Sequence, residues 1–310
     1  MIPSLSRGAE FYFQCAVVVI GVLGTAANAL ILYALVASKQ HKKHVLIVNQ
    51  NALDLFTSFS ILITYTLELC NIHLTGSVGY WLCTLLLSDF LIWTGTNGSV
   101  INLVSITIER YLKVVHAAWS KNKLRNWMIY SAMAFSWIAS FVYNAALVFS
   151  TTAVINGACY SYAIWESYAA VIIATIHNFV SFYVINISAF IFCYWRILVV
   201  IRRQAKVMAG HAAAAGPSTS QTHAQTQSNQ IQTNVIKTMI LVSALFAILW
   251  LPSYIYILDM ILNPKPIDGG YYATLVAFLY MCTNPFIYAT KLDPVKEVLL
   301  RLIPCKKNSG

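Results

Sequence analysis

Charge is scarce in this chain, and where it occurs inside apolar sequence it points to chemistry. Asp54 and Asp89 each stand as the single charge within a long apolar run, and Glu109 stands beside Arg110 just past the end of the run that holds Asp89. A carboxylate taken out of water is very unfavourable on its own. Asp54 therefore needs hydrogen-bond donors, a cation or a proton. Glu109 and Arg110 make an adjacent ion pair whose guanidinium is available to change partners. Catalysis finds no comparable constellation. The seven histidines are dispersed, no His/Cys cluster has metal-ligand spacing, and no glycine loop is shaped to cradle phosphate, so an enzyme is not expected. The seven cysteines cannot all pair with one another.

The elements that position these residues follow from composition. Of 310 residues 59% are hydrophobic and 10% charged, whereas globular chains are about one-quarter charged. The apolar residues fall in seven runs, 11–37, 45–67, 81–108, 127–155, 167–195, 238–258 and 269–290. A bilayer core takes about 20 apolar helical residues, and each run suffices. The short alternating segments of a membrane barrel are absent. The expectation is an all-α membrane protein, a bundle of seven transmembrane helices. Of the 20 Lys and Arg, 18 fall in the loops and tail on one side, against Arg7 and Lys265 on the other. Positive residues stay inside, so the N-terminus is expected outside the plasma membrane, and the +10 net charge faces anionic lipid rather than nucleic acid.

The expected organisation is a short extracellular N-terminus (1–10), a membrane domain (11–290) and a cytoplasmic tail (291–310). No signal peptide is expected, because the first run reads as a retained helix. One long connection, about 205–233, is polar and lacks apolar periodicity, and it reads as a flexible cytoplasmic loop. After Thr290, apolar residues at 295, 298, 299 and 302 recur at helical spacing among Lys and Arg, as in a short amphipathic helix lying on membrane lipid.

Several motifs, taken together, resemble the rhodopsin-like family of G-protein-coupled receptors over nearly the whole chain. Asn28 fits the family's first-helix asparagine, Asn51-Ala52-Leu53-Asp54 its second-helix motif, and Trp137 its fourth-helix tryptophan. Glu109-Arg110-Tyr111 is a variant of the Asp-Arg-Tyr triplet. Phe246, Trp250 and Pro252 have the sixth-helix spacing, and Asn284-Pro285-Phe286-Ile287-Tyr288 is an intact Asn-Pro-x-x-Tyr. The resemblance implies a switch at Glu109, Arg110 and Tyr111, served by Tyr194 and Tyr288, that opens toward a heterotrimeric G-protein. A snorkelling interfacial arginine is the plainer reading. It implies a microswitch at Phe246, Trp250, Pro252, Asn284 and Pro285, since Pro252 kinks its helix into a lever; plain packing of Trp250 is the alternative. Asn28, Asp54, Ser99 and Asn284 resemble a sodium pocket, against simple hydrogen bonding or protonation of Asp54. Cys83 and Cys159 resemble the family's disulfide. Cys305 has the place of a palmitoylated cysteine, or of a free cytosolic thiol.

Departures from the family pattern narrow the function. The fifth-helix proline is Asn186, and Leu249 replaces the cysteine before Trp250. The usual polar residue four before Asn284 is Tyr280. Cys83 lies 27 residues before Arg110, about two more than the family leads one to expect; two residues turn a helix by roughly 200°, which implies a bend or an irregular start to the third helix. No retinal cofactor is expected, because Phe278 holds the position for a Schiff-base lysine and no lysine lies between Lys265 and Lys291. The amine-binding aspartate is replaced by Ile92. Outer acids Glu10, Glu68, Asp89, Glu166, Asp259 and Asp268 outnumber Arg7 and Lys265, a field that attracts a cation or is simply loop solvation. The reading is a receptor for an extracellular ligand, a short peptide before a small non-amine molecule. A seven-helix transporter or channel is the alternative class.

There is no Asp or Glu between Ser167 and Leu258, and Gln232 stands where many relatives carry an acid that restrains the third-helix arginine. Losing a partly exposed ion pair is worth about 1 kcal/mol or less, which changes a two-state ratio several-fold. Nucleotide exchange by the G-protein without ligand is therefore expected to be measurable, and reduced by Gln232→Glu at matched surface levels. A silent wild type would contradict this.

Overall fold

The computed structural model describes residues 7–42, 44–162, 164–214, 220–263, 269–291 and 293–302. Cys305, Lys265, Asp268 and the side chain of Gln232 lie outside the described residues. Seven helices are long and apolar enough to cross a membrane: Gly8–Ala37, Val45–Leu69, Gly76–Val115, Asn126–Thr151, Tyr168–Val207, Ile236–Leu262 and Gly270–Lys291. They are numbered first to seventh here. The core runs down the bundle axis through Leu103 and Ile106 of the third helix, Phe190 of the fifth, Phe246 of the sixth and Tyr280 and Tyr288 of the seventh. Large apolar side chains such as Leu23, Phe135, Ile138, Ile173, Ile191, Ile248 and Phe286 point outward instead, as a lipid-facing surface requires. The second helix is the most enclosed, with 61% of its apolar window buried against 22% for the fourth. Asn49, Gln50, Asn51, Asp54, Thr57 and Ser58 all lie buried on it, because only an enclosed helix can supply partners for so many polar groups.

The third helix is irregular at its outer end, as the spacing of Cys83 demands. A regular segment (Gly76–Leu82) passes into a π-helical turn (Cys83–Leu87). Asp89 then adopts a left-handed conformation with φ 59° before the main segment (Phe90–Val115) begins. A wide turn leaves carbonyls short of partners. Thr64 of the second helix donates to the Leu86 carbonyl at 3.0 Å, and the Ser88 hydroxyl donates to Thr84 O at 2.5 Å. The turn aims Cys83 at Cys159, and the two form a disulfide with Cα atoms 5.3 Å apart. Cys159 sits in a hairpin, β1 (Ala153–Ile155) and β2 (Ala158–Tyr160), where it pairs with Val154. Its two-residue turn is Asn156-Gly157, both at positive φ, the combination whose twist matches a hairpin.

The fifth helix lacks its proline but keeps the distortion. It contains a π-helical turn (Val180–Val184), and the Asn186 amide donates to the Ser181 carbonyl at 2.9 Å. The expected loop at about 205–233 is helical over most of its length. One helix continues through Ala214 and the next begins at Ser220. Alanine and glutamine extend a helix that a membrane span has already nucleated. After the seventh helix a short helix (Asp293–Leu302) follows. Val295 is buried and Val298 and Leu299 pack on the core, whereas Leu302 is exposed.

Cys83→Ser and Cys159→Ser should each lower surface expression, and the double variant should be no worse than either. Clearly additive losses would show two independent roles.

Candidate functional site

The site has three levels along the bundle axis, and the middle one is a buried polar network. Asp54 receives three donors: Ser99 Oγ at 2.7 Å and Gln50 Nε2 at 3.4 Å reach Oδ1, and Asn284 Nδ2 reaches Oδ2 at 2.6 Å. Gln50 Nε2 also donates to the Ser99 hydroxyl. The network continues outward to the fourth helix. Asn102 Nδ2 donates to Gln50 Oε1 at 2.8 Å, Asn49 Nδ2 to Asn102 Oδ1 at 2.8 Å, and the Trp137 indole to Asn49 Oδ1 at 2.9 Å. Asn28 does not join Asp54: its amide donates to the carbonyls of Gly24 and Met281 at 2.9 and 3.0 Å. Its role is to pin the first helix to the seventh at the break before Pro285.

At the end of the bundle opposite the hairpin, Arg110 lies 3.5 Å from Glu109, and Lys113 donates to the same carboxylate at 2.5 Å. Glu109 is thus shared between two cations one helical turn apart. Tyr111 bonds His116 at 3.2 Å and packs on Phe192 of the fifth helix, with ring centroids 5.9 Å apart. The Tyr194 hydroxyl shares hydrogen bonds with Thr107 (3.0 Å) and Ser243 (3.1 Å), so it ties the third, fifth and sixth helices together. Tyr288 is fully buried, and its hydroxyl has no partner among the described residues. The two tyrosines do not bond one another.

At the end of the bundle opposite Arg110 there are two cavities. One, of about 540 Å³, is lined by Glu10, Gln14, Glu68, His73 and the hairpin residues Gly157 and Cys159. The other, of about 310 Å³, is lined by Trp93, Asn144, Tyr162, Trp165, Asn178 and Met260. Glu68 accepts from Gln14 at 3.5 Å. Asp89 has a buried carboxylate oxygen without a partner among the described residues. Burial, with the nearby Asp89 charge adding to it, pushes the Tyr162 phenol above its ordinary pKa. Glu166 is exposed and Asp259 takes the Asn263 amide, so the four acids do not form one cluster. Below the second cavity, Trp93 packs on Trp250 with ring centroids 5.9 Å apart, and Trp250 packs on Phe246 at 6.4 Å. Pro252 lies within the sixth helix and Pro285 within the seventh.

Residues 27–288 match the family model described as the 7 transmembrane receptor (rhodopsin family). The chain belongs to that family. The receptor is similar to the galanin receptor 2a of Danio rerio, 22% identical over 295 residues that take in 92% of this chain and 76% of that one. It is similar to the allatostatin-A receptor of Bombyx mori, 24% identical over 310 residues, 92% of this chain and 78% of that one. Its fold matches the crystal structure of squid rhodopsin with a TM-score of 0.78, at 16% identity, over 98% of this chain and 87% of that one.

Three members of the receptor's site escaped the sequence reading. Gln50 is one turn before Asp54 on the same face, a neutral amide inside an apolar run. Lys113 stands four residues after Glu109, a spacing that pairs opposite charges on a helix. Trp93 is one of many aromatics, and nothing in the sequence sets it against Trp250.

Trp137→Phe removes the only donor that the hydrogen bonds give to Asn49 Oδ1. A buried acceptor left unpaired costs about 1–3 kcal/mol, so the purified variant should unfold at a lower temperature than wild type. An unchanged midpoint would show that this bond contributes nothing.

Proposed function

We propose that the receptor lies in the plasma membrane with its N-terminus outside, binds a short extracellular peptide at its outer end, and activates a heterotrimeric G-protein at its inner end. The observation that carries this reading is Trp93. It lines the smaller outer cavity and packs directly on Trp250, two residues before the proline that breaks the sixth-helix ladder. A ligand group that enters the cavity presses on a side chain touching the lever. Only a differential contact of this kind shifts an equilibrium between closed and open states.

A peptide is favoured over a small molecule by the division of the outer face. One cavity is polar and acidic and the other largely apolar, and an extended ligand with unlike groups suits both. The two named relatives are receptors for galanin and allatostatin-A, which are peptides. Orientation is supported by the 18-to-2 division of Lys and Arg and by the disulfide at the end opposite Arg110, where an oxidising compartment is required. At the inner end, opening the sixth helix would separate Ser243 from Tyr194 and expose Arg110 to a partner.

Arg110→Ala should abolish ligand-stimulated nucleotide exchange on the G-protein while leaving peptide binding at the outer face intact. Loss of binding and expression together would assign Arg110 to folding instead.

A further inference from the structure

We infer that in this receptor the Gln50 amide stands in for the sodium ion that the Asp54 pocket would otherwise hold, with the bulk of Tyr280 at the position four before Asn284, so that the pocket excludes sodium. The inference concerns the middle of the bundle and is independent of the ligand and of the G-protein.

A hard cation is held by oxygen lone pairs, several of them converging on one point. Around Asp54 the structure presents hydrogens instead. Ser99 O–H, Gln50 N–H and Asn284 N–H all point at its two oxygens. Ser99, whose oxygen would be a natural second ligand, already accepts from Gln50 Nε2.

The orientation of Gln50 is not a free choice between amide oxygen and nitrogen. An indole nitrogen can only donate. Trp137 therefore fixes Asn49 with its oxygen outward and its nitrogen toward Asn102. Asn102 must then accept through Oδ1, and its own nitrogen donates to Gln50 Oε1 and to the Leu46 carbonyl. Gln50 is left with only its NH₂ to offer Asp54. Four amide and indole groups across three helices thus deliver partial positive charge to the carboxylate, in place of an ion.

Volume acts in the same direction. Tyr280 occupies the position four before Asn284. It is 1% exposed, with its ring against Phe246 at 5.6 Å. Its hydroxyl is buried and completes no hydrogen bond among the described residues. Asn28 spends its amide nitrogen on the carbonyls of Gly24 and Met281 and gives Asp54 no hydrogen bond; its oxygen is buried without a partner among the described residues.

The test is thermal unfolding of the purified full-length receptor in sodium, potassium or N-methylglucamine chloride at equal ionic strength. Wild type should give the same midpoint in all three. A rise in sodium alone, saturating with concentration and lost in Asp54→Asn, would overturn the inference. The double variant Gln50→Leu, Tyr280→Asn should gain a sodium-specific rise of a few degrees, because a ligand that binds only the folded state stabilises it. The double variant Gln50→Glu, Tyr280→Asn, which offers oxygen where wild type offers N–H, should respond in the same way and serves if the first double variant fails to fold. A folded variant of either kind that ignores sodium would show that these side chains are not what excludes the ion.

Discussion

The indole N–H of Trp137 gives direction to the polar interior of this protein. Inside a bilayer no water is at hand to correct an amide turned the wrong way, so every buried amide must be oriented by another group. Trp137 sits at one end of a line of such amides and Asp54 at the other, and the line crosses from the fourth helix through the second and third to the seventh. Its members are few, but each depends on the one before it. The second helix carries most of them because it is the most enclosed, and the lipid-facing fourth helix contributes little besides its tryptophan and Ser136. Packing of Leu, Ile and Val gives the bundle its bulk. The amide line gives its helices a defined rotation about their axes, which apolar contacts in lipid specify poorly.

Toward the Arg110 end of the bundle the design changes from amides to hydroxyls and charges. Thr107, Tyr194 and Ser243 form a short chain of neutral hydroxyls between the third, fifth and sixth helices. Arg110 and Lys113 compete for Glu109 within a single helix. Bonds of this kind are individually worth about 1 kcal/mol, a scale on which a moving helix can exchange partners. The deep network is buried and mutually dependent, and it resists exchange.

Much of this was legible in the residues. The seven spans follow from apolar run length alone, and the distorted third helix follows from counting back from Arg110 to Cys83. The partners of Asp54 were readable only in part. Ser99 and Asn284 came from resemblance, whereas Asn28 was misplaced and Gln50 missed, because a glutamine among leucines and valines carries no charge to mark it. The stretch after Ala205 was read as a loop for want of periodicity, yet helix needs periodicity only where it packs. Trp93 shows the limit most plainly: the sequence says it is on the third helix, but the partner it faces depends on how far the wide turn above has rotated that helix.

Asn186 has a consequence for the fifth helix. A proline at this position would keep the turn above it wide permanently, because its ring denies the backbone an N–H. An asparagine keeps its N–H, and the wide turn rests instead on a side-chain bond to Ser181. A π-helical turn holds one residue more than the α-helix around it. Absorbing that residue would rotate the segment below by about 100°, and Tyr194 lies in that segment. The wide turn of the fifth helix of this receptor is therefore held by one amide hydrogen bond rather than by a covalent ring, and the rotation of the segment that carries Tyr194 depends on that bond.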